Sequence, residues 1–155
     1  MNRVIVNAKT GERTIVEMTQ EEIDELITQQ PPVDLDALKS ERIADSKMAL
    51  ATYLESHPLT WADGKQYSVT AEKQSLLNNA LAVYELAIAA GQPAELSWNA
   101  TGEECTHWEY DALCALALAI AEYVKPLVSR QQAIEVAINA AQTAEEVNDV
   151  EISYS

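Results

Sequence analysis

The 155-residue sequence contains no phenylalanine, two cysteines, two histidines and four glycines. Without phenylalanine, a hydrophobic core must be filled by aliphatic side chains, three tryptophans and six tyrosines. Two cysteines are too few for a disulfide framework, so the simplest expectation is synthesis in the cytosol. The sequence also lacks a glycine-rich phosphate-binding loop and the histidine pair of zinc proteases, which leaves no motif for either chemistry.

Long apolar runs and basic residues are scarce as well. We find no apolar run that reaches the length of a membrane span, and residues 1–18 contain no long apolar segment of the signal-peptide kind. Ten basic residues stand against 25 acidic ones, which gives a net charge of −15. This charge repels phosphate groups, so we expect neither nucleic-acid nor membrane binding, whereas basic protein partners are favoured.

Residues 1–30 are predicted to form a small hairpin-helix unit. The β-prone stretches RVIV and RTIVE are separated by NAKTGE, which supplies turn residues. Thr19 and Glu22 have the spacing of a capping box, which predicts the start of a helix. This helix should end before the two consecutive prolines of a hinge at residues 31–33, because proline restricts the residue before it and lacks an N–H. Residues 34–155 then form the second domain.

The second domain is predicted to be a small helical bundle with one or two short β-hairpins, so the fold class is α+β and mainly α. Apolar spacing predicts three longer helices, at residues 34–56, 71–90 and 109–123. The third has apolar residues on every face, which predicts central burial. Pro126 should kink this helix or start a new one.

The C-terminal part of the domain should contain a short last helix. Thr143 and Glu146 form a second capping-box pattern, which predicts that this helix begins at that point. The final residues VEISYS are compatible with a terminal strand or a loose tail, and the sequence does not separate these two readings.

Two aromatic segments interrupt the helical pattern. In LTWADGKQYSV, the Asp63-Gly64 step is a tight-hairpin signal, because both positions can adopt positive φ. In WNATGEECTHW, the turn-forming NATG follows a tryptophan. We expect these strands to pair with one another or to form two separate hairpins.

Four aromatic residues in these segments are the candidate partner-binding residues: Trp61, Tyr67, Trp98 and Trp108. Aromatic side chains on a small sheet usually belong to the core. Where one face of such a sheet stays open, tryptophan and tyrosine anchor a protein partner instead. Both interpretations stay open from the sequence.

Cys105, His107 and Cys114 are the best candidates for metal or nucleophilic chemistry. Cys-x-His on a strand places both side chains on one face. Structural zinc, however, needs four ligands in short paired spacings, and Cys114 lies within the apolar helix, where a free cysteine acts as a small apolar residue. No group that would orient a Cys–His pair is apparent. We therefore expect no catalytic residues, no metal and no cofactor, so the chain should not be an enzyme.

Four stretches together resemble one domain family of tailed bacteriophages and prophages: WADGKQYSVT, WNATGEECTHW, ALCALALAIAEYVKPL and AIEVAINAAQTAEEV. The resemblance covers residues 33–150, and the family is a domain of unknown function in small tail-associated proteins. The N-terminal TGE hairpin with MTQEEIDEL is similar to the start of tail-fibre assembly proteins, which are encoded beside fibre genes and assist fibre folding or attachment. The resemblance implies protein binding and supplies no active-site residues.

The function expected from this resemblance is a phage tail-fibre assembly factor or accessory. It would bind a tail-fibre or other tail protein in the host cytoplasm during phage assembly. One alternative is a structural component of the virion tail. Another is an acidic inhibitor that mimics DNA and blocks a host defence enzyme, which would require carboxylates spaced like phosphates. Formation of a homo-oligomer through the helix that begins at Asp34 stays open.

Overall fold

The structure is a computed structural model of the chain, which divides into two units, Met1–Asp34 and Leu35–Ser155. The residues that it describes are 2–6, 11, 13–22 and 34–154. The fold class is α+β and mainly α, as predicted. The predicted hinge at residues 31–33 lies outside the described residues.

The first unit contains the predicted β-hairpin, in which β1 (Asn2–Val6) pairs antiparallel with β2 (Arg13–Glu17). Val4 lies opposite Ile15 on this ladder, and both side chains are exposed. Each strand contains a run of three β-branched residues, residues 4–6 and 14–16, which explains why this short segment forms strands.

The predicted capping box of the first unit is present. The Thr19 N–H donates to the Glu22 carboxylate at 3.0 Å, and the Glu22 N–H donates to Thr19 Oγ1 at 3.4 Å. Residues 20–22 are helical. Residues 23–30, where the predicted helix would continue, lie outside the described part of the chain.

The second unit contains four helices in its described residues: α1 (Leu35–Ser56), α2 (Ala71–Ala89), α3 (Tyr110–Ala140) and α4 (Ala144–Asp149). Local signals explain two of the helix starts. The Thr70 side chain accepts the Lys73 N–H at α2, and Thr143 forms the predicted capping box with Glu146 at α4. Both devices satisfy backbone donors that the first turn of a helix leaves free.

Pro126 lies inside α3 and does not start a new helix. Of the two expected outcomes, a kink or a new helix, the new helix does not occur. Proline removes the N–H that would bond the carbonyl of Glu122, one turn earlier. Both residues lie on the exposed side of α3, where solvent can reach that carbonyl, so the helix continues without a buried unsatisfied group.

The prediction that α3 is buried on every face was also wrong. Its buried residues form one stripe: Leu113, Leu116, Ile120, Val124, Gln131, Ile134 and Ile138. On another face, Leu118 is 67% exposed. A single helix in a small domain packs against neighbours on one side only, so apolar residues outside the stripe remain in solvent.

By length and composition, α3 could cross a membrane, and it is the one helix in the described residues that could. The charge-free stretch at its start, residues 112–121, is shorter than a membrane span, so the sequence-based statement about apolar runs stands. In the structure, 22% of its most apolar 18-residue stretch is buried, and those residues belong to the core stripe.

Two hydrophobic clusters make up the core of the second unit. The first joins the end of α1, both hairpins, α2 and the first half of α3, with Leu113 and Leu116 fully buried. The second joins most of the length of α1, the second half of α3, α4 and the C-terminal residues, with Ile138 and Val147 fully buried. α3 contributes to both clusters and therefore connects them.

The C-terminal residues 151–154 are neither a strand nor a loose tail. The Tyr154 side chain is buried in the second cluster, and its hydroxyl donates to the Ser46 carbonyl oxygen at 2.8 Å. Ser46 is fully buried, and its Oγ accepts a hydrogen bond from Gln131 Nε2 at 3.3 Å. A polar network thus fixes the chain end against α1 and α3.

The two aromatic segments form separate hairpins, one of the two expected arrangements. In the first, β3 (Leu59–Thr60) pairs with β4 (Gln66–Tyr67); in the second, β5 (Leu96–Trp98) pairs with β6 (Thr106–Trp108). One backbone bond joins the hairpins, because the Thr101 N–H donates to the Gln66 carbonyl oxygen at 2.8 Å.

Candidate protein-binding site

The loop of the first hairpin holds three residues between Trp61 and Lys65. The Trp61 N–H donates to the Lys65 carbonyl oxygen at 2.9 Å, and the Gly64 N–H donates to the Trp61 carbonyl oxygen at 2.8 Å. Gly64 has φ 78°, whereas no described residue other than glycine has positive φ. Of the two positions that can adopt positive φ, Asp63 and Gly64, only Gly64 does so. A three-residue hairpin loop needs this conformation at one position only, which glycine supplies.

The Asp63 side chain stabilises the loop by accepting two hydrogen bonds. Its Oδ1 accepts the Lys65 N–H at 2.9 Å, and its Oδ2 accepts the Tyr67 hydroxyl at 2.7 Å. These two donors, the Lys65 N–H first, lower the pKa of the Asp63 carboxyl. Burial, followed by the bond to Asp63, raises the pKa of Tyr67 to about 12. Asp63 is therefore a carboxylate and Tyr67 a neutral phenol near neutral pH.

In the second hairpin, the register places both tryptophans on one face. Trp108 lies opposite Leu96, and Trp98 lies opposite Thr106. Residues directly opposite one another in a ladder point to the same face. Ser97 and His107 are the pair on the other face, and both are exposed.

Three of the four candidate aromatic residues come together across the hairpins. Trp61 and Trp108 are stacked, with ring centroids 5.8 Å apart and an interplanar angle of 28°. Tyr67 meets both rings edge to face, at 5.9 Å from Trp61 and 5.8 Å from Trp108. We call Trp61, Tyr67 and Trp108 the aromatic cluster. Aromatic pairs in these arrangements add stability beyond the area that they bury.

Exposure separates the members of the aromatic cluster. Tyr67 is 2% exposed, so its side chain offers no surface to a partner in this structure. Trp61 and Trp108 are half-buried and line a surface pocket of about 210 Å³ with Ala62, Asp63 and Ala112. The partner-binding prediction for the two tryptophans stays a prediction, now attached to a defined pocket.

Trp98 lies outside the aromatic cluster. It packs against the first hydrophobic cluster, and the Lys73 ammonium lies 5.5 Å from the centroid of its ring. A cation at that distance from an indole is attracted by the negative face of the ring. Trp98 thus already has a cationic neighbour within its own chain.

An ion pair between Lys65 and Glu103 connects the loops of the two hairpins. The hydrogen bond from Lys65 Nζ to Glu103 raises the pKa of the lysine. Both side chains are exposed, so this pair stabilises the fold little and mainly orients the loops.

A family model for a domain of unknown function, DUF4376, matches residues 33–152. The chain belongs to this family. The match includes all four helices of the second unit and both of its hairpins, so the aromatic cluster lies inside the DUF4376 domain. No curated protein and no solved structure matches the chain.

In the DUF4376 domain, the candidate metal and nucleophile residues do not converge. Cys105 is exposed, with Sγ 3.7 Å from Asn99 Oδ1, whereas Cys114 lies half-buried in α3. His107 Nε2 lies 3.4 Å from Glu109 Oε1 on the surface. No group of three metal-binding side chains occurs in the described residues. The expectation that the chain is not an enzyme stays a prediction.

Sequence reasoning missed an exposed apolar surface on α2. Leu76, Val83 and Leu86 are 46%, 64% and 70% exposed. Their spacing of seven and three residues places them on one side of the helix, and we call them the α2 surface. Beside it lies a groove of about 470 Å³ between α2 and residues 93–97. The signal was present in the sequence as apolar residues at helical spacing beside Leu77, the one buried residue of α2.

Proposed function

We propose that this chain is a tail-fibre assembly factor or accessory of a tailed bacteriophage or prophage, which acts by binding another protein and performs no chemistry. The resemblance of the N-terminal segment to tail-fibre assembly proteins supports the tail association. The α2 surface supports the protein-binding role.

The observation that carries the protein-binding role is the contrast between the α2 surface and the rest of the chain. Residues 76–92 include one charged residue, Glu85, in a chain with 35 charged residues in all, 10 basic and 25 acidic. Glu85 itself accepts a hydrogen bond from the Tyr110 hydroxyl. Contiguous exposed apolar surface on a soluble domain marks interaction sites.

The acidic residues outside the α2 surface would assist the same function. The α2 surface would cover an apolar segment of an unassembled fibre chain and so prevent that segment from aggregating. A net charge of −15 keeps the resulting complex soluble and speeds the encounter with basic fibre segments.

Co-expression with the fibre gene of the same genome tests this function. The soluble yield of fibre should rise with the wild-type protein and fall back with the double variant Val83→Ser, Leu86→Ser, which removes two of the three apolar side chains. The matched control is Val136→Ser, because Val136 on α3 is 68% exposed and lies outside the α2 surface. Far-UV circular dichroism should show that all variants fold.

A fibre yield that does not respond to the wild-type protein would overturn the assembly role. Recovery of the protein in stoichiometric amounts from purified particles would instead identify a structural tail component. A double variant as active as the Val136→Ser control would remove the α2 surface from the mechanism.

A further inference from the structure

We infer that the surface pocket lined by Trp61 and Trp108 binds an arginine or lysine side chain of a partner polypeptide. This inference rests on the proposed protein-binding function and adds to it the kind of side chain that the domain recognises. The pocket lies on the two hairpins, and the inference uses neither α2 nor its exposed residues.

The lining of the pocket combines apolar walls with one negative group. Two indole rings and the methyl groups of Ala62 and Ala112 form the apolar part, and the Asp63 carboxylate is the one charged group in the lining. A ligand that fits must therefore be apolar along its length and positive at its end. Arginine and lysine side chains have this form, with an aliphatic stem and a cationic head.

Asp63 can receive a cation although it already holds the hairpin loop. Each of its oxygens accepts one hydrogen bond, from the Lys65 N–H and from the Tyr67 hydroxyl. An ionised carboxylate offers about four lone-pair sites, so acceptor capacity remains on both oxygens. The residue is exposed, and the two internal bonds fix its orientation at the edge of the pocket.

A cation–π contact already occurs at Trp98, where the cation comes from the same chain. Lys73 lies over that ring, and this is the one cation–π contact among the described residues. At the Trp61–Trp108 pocket, the nearby Lys65 is instead paired with Glu103. The indoles at the pocket are thus left for a cation from outside the chain.

Charge favours a basic partner over the other occupants of such a pocket. A chain of net charge −15 attracts basic segments and repels a second copy of itself. An uncharged apolar side chain would place its surface beside the Asp63 carboxylate and partly remove that charge from water, which is unfavourable. These observations favour a basic side chain of another protein as the occupant of the pocket.

The test is a titration of the ¹⁵N-labelled full chain, followed by NMR at the three tryptophan indole N–H signals. The probes are the acetylated amides of arginine, lysine, citrulline and leucine. Arginine and lysine should shift the Trp61 and Trp108 signals, whereas citrulline, which is neutral but shaped like arginine, and leucine should not. The Trp98 signal is the internal control and should not move.

Two variants separate the pocket from general electrostatic attraction. Asp63→Asn removes the charge, keeps the shape of the side chain and should weaken arginine binding about tenfold. The matched control Glu104→Gln removes one exposed carboxylate outside the pocket and should leave binding unchanged. Urea unfolding of each variant shows whether the hairpins remain folded, and Trp61→Leu gives a second variant that keeps an apolar side chain but removes the indole.

Three outcomes overturn the inference: equal shifts with leucine and arginine, equal weakening by both charge variants, or no shift with any cationic probe. None of them alters the fibre co-expression result, because that experiment depends on the α2 surface. Conversely, if the fibre yield does not respond to the protein but arginine still binds, the fibre role is rejected and the cation-binding pocket is retained.

Discussion

The phenolic hydroxyl of Tyr67 donates a 2.7 Å hydrogen bond to the Asp63 carboxylate, four residues earlier in the chain. The tyrosine ring is buried beneath Trp61 and Trp108, whereas the carboxylate lies at the surface. This bond therefore connects the buried tyrosine of the aromatic cluster to the exposed carboxylate at the edge of the pocket. It couples the stability of the hairpin to the group that we propose binds a cation.

Removal of this hydroxyl should destabilise the protein. Tyr67→Phe keeps the buried ring but deletes the bond to a charged acceptor, which should lower the free energy of unfolding by about 1–2 kcal/mol. Urea denaturation measures the change. The control is Tyr84→Phe, since Tyr84 stacks on Tyr110 and its hydroxyl has no hydrogen bond among the described residues. Equal effects of the two variants would show that the Asp63 bond contributes nothing.

Alkaline pH should lower the free energy of unfolding of the wild-type protein because of Tyr67. Its pKa is raised from 10.0 to about 12 in the folded state, mainly because burial disfavours the phenolate. The stabilisation is complete below pH 10 and is lost as the pH rises toward about 12, because the unfolded chain ionises first.

Urea midpoints measured from pH 9 to pH 12 provide the test, with Tyr67→Phe as the comparison. Other tyrosines with raised pKa values, including Tyr123 and Tyr154, contribute equally to both proteins. The wild-type midpoint should therefore fall more steeply than that of the variant. Parallel curves would contradict the assignment to Tyr67.

The chain end should be essential for stability although it forms no regular structure. Tyr154→Ala empties a buried site in the second hydrophobic cluster and should cost about 3 kcal/mol or more. Tyr154→Phe removes only the bond to the Ser46 carbonyl and should cost about 1 kcal/mol. Calorimetry or urea unfolding distinguishes the two values. If both variants unfold like the wild type, the C-terminal residues do not pack in solution.

The helix cap at Thr143 should stabilise α4 measurably. Thr143→Ala removes the acceptor for the Glu146 N–H and should cost about 1 kcal/mol, while Thr143→Ser keeps the hydroxyl and should cost little. Hydrogen exchange at the amide of Glu146 should accelerate in the alanine variant alone. The same exchange rate in both variants would mean that α4 does not depend on its cap.

Local sequence signals predicted the turns and caps of this fold well. Thr19 with Glu22, and Thr143 with Glu146, form the capping boxes that their spacing indicated. The Asp63-Gly64 step marked a hairpin, although the loop is one residue longer than the tight turn that it suggested. These features were predictable because each depends on residues within four positions of one another.

The errors concern α3, where local rules compete with packing. Pro126 indicated a kink or a new helix, and α3 continues through it because solvent on the exposed side accommodates the lost hydrogen bond. Apolar residues on every face indicated full burial, yet Leu118 is in solvent. Periodicity shows which sides of a helix are apolar, but neighbouring elements decide which of those sides is covered.

By itself, the sequence determined the fold class, the capping boxes at Thr19 and Thr143, the turn at Gly64 and the acidic charge, since all of these follow from composition or from residues close in the chain. Only the tertiary structure decided that Trp61 and Trp108 line one pocket, whereas the Lys73 ammonium lies over the ring of Trp98. The four tryptophan and tyrosine candidates look alike in sequence. Their separation into buried, half-buried and cation-bearing side chains depends on contacts across tens of residues, which no local spacing encodes.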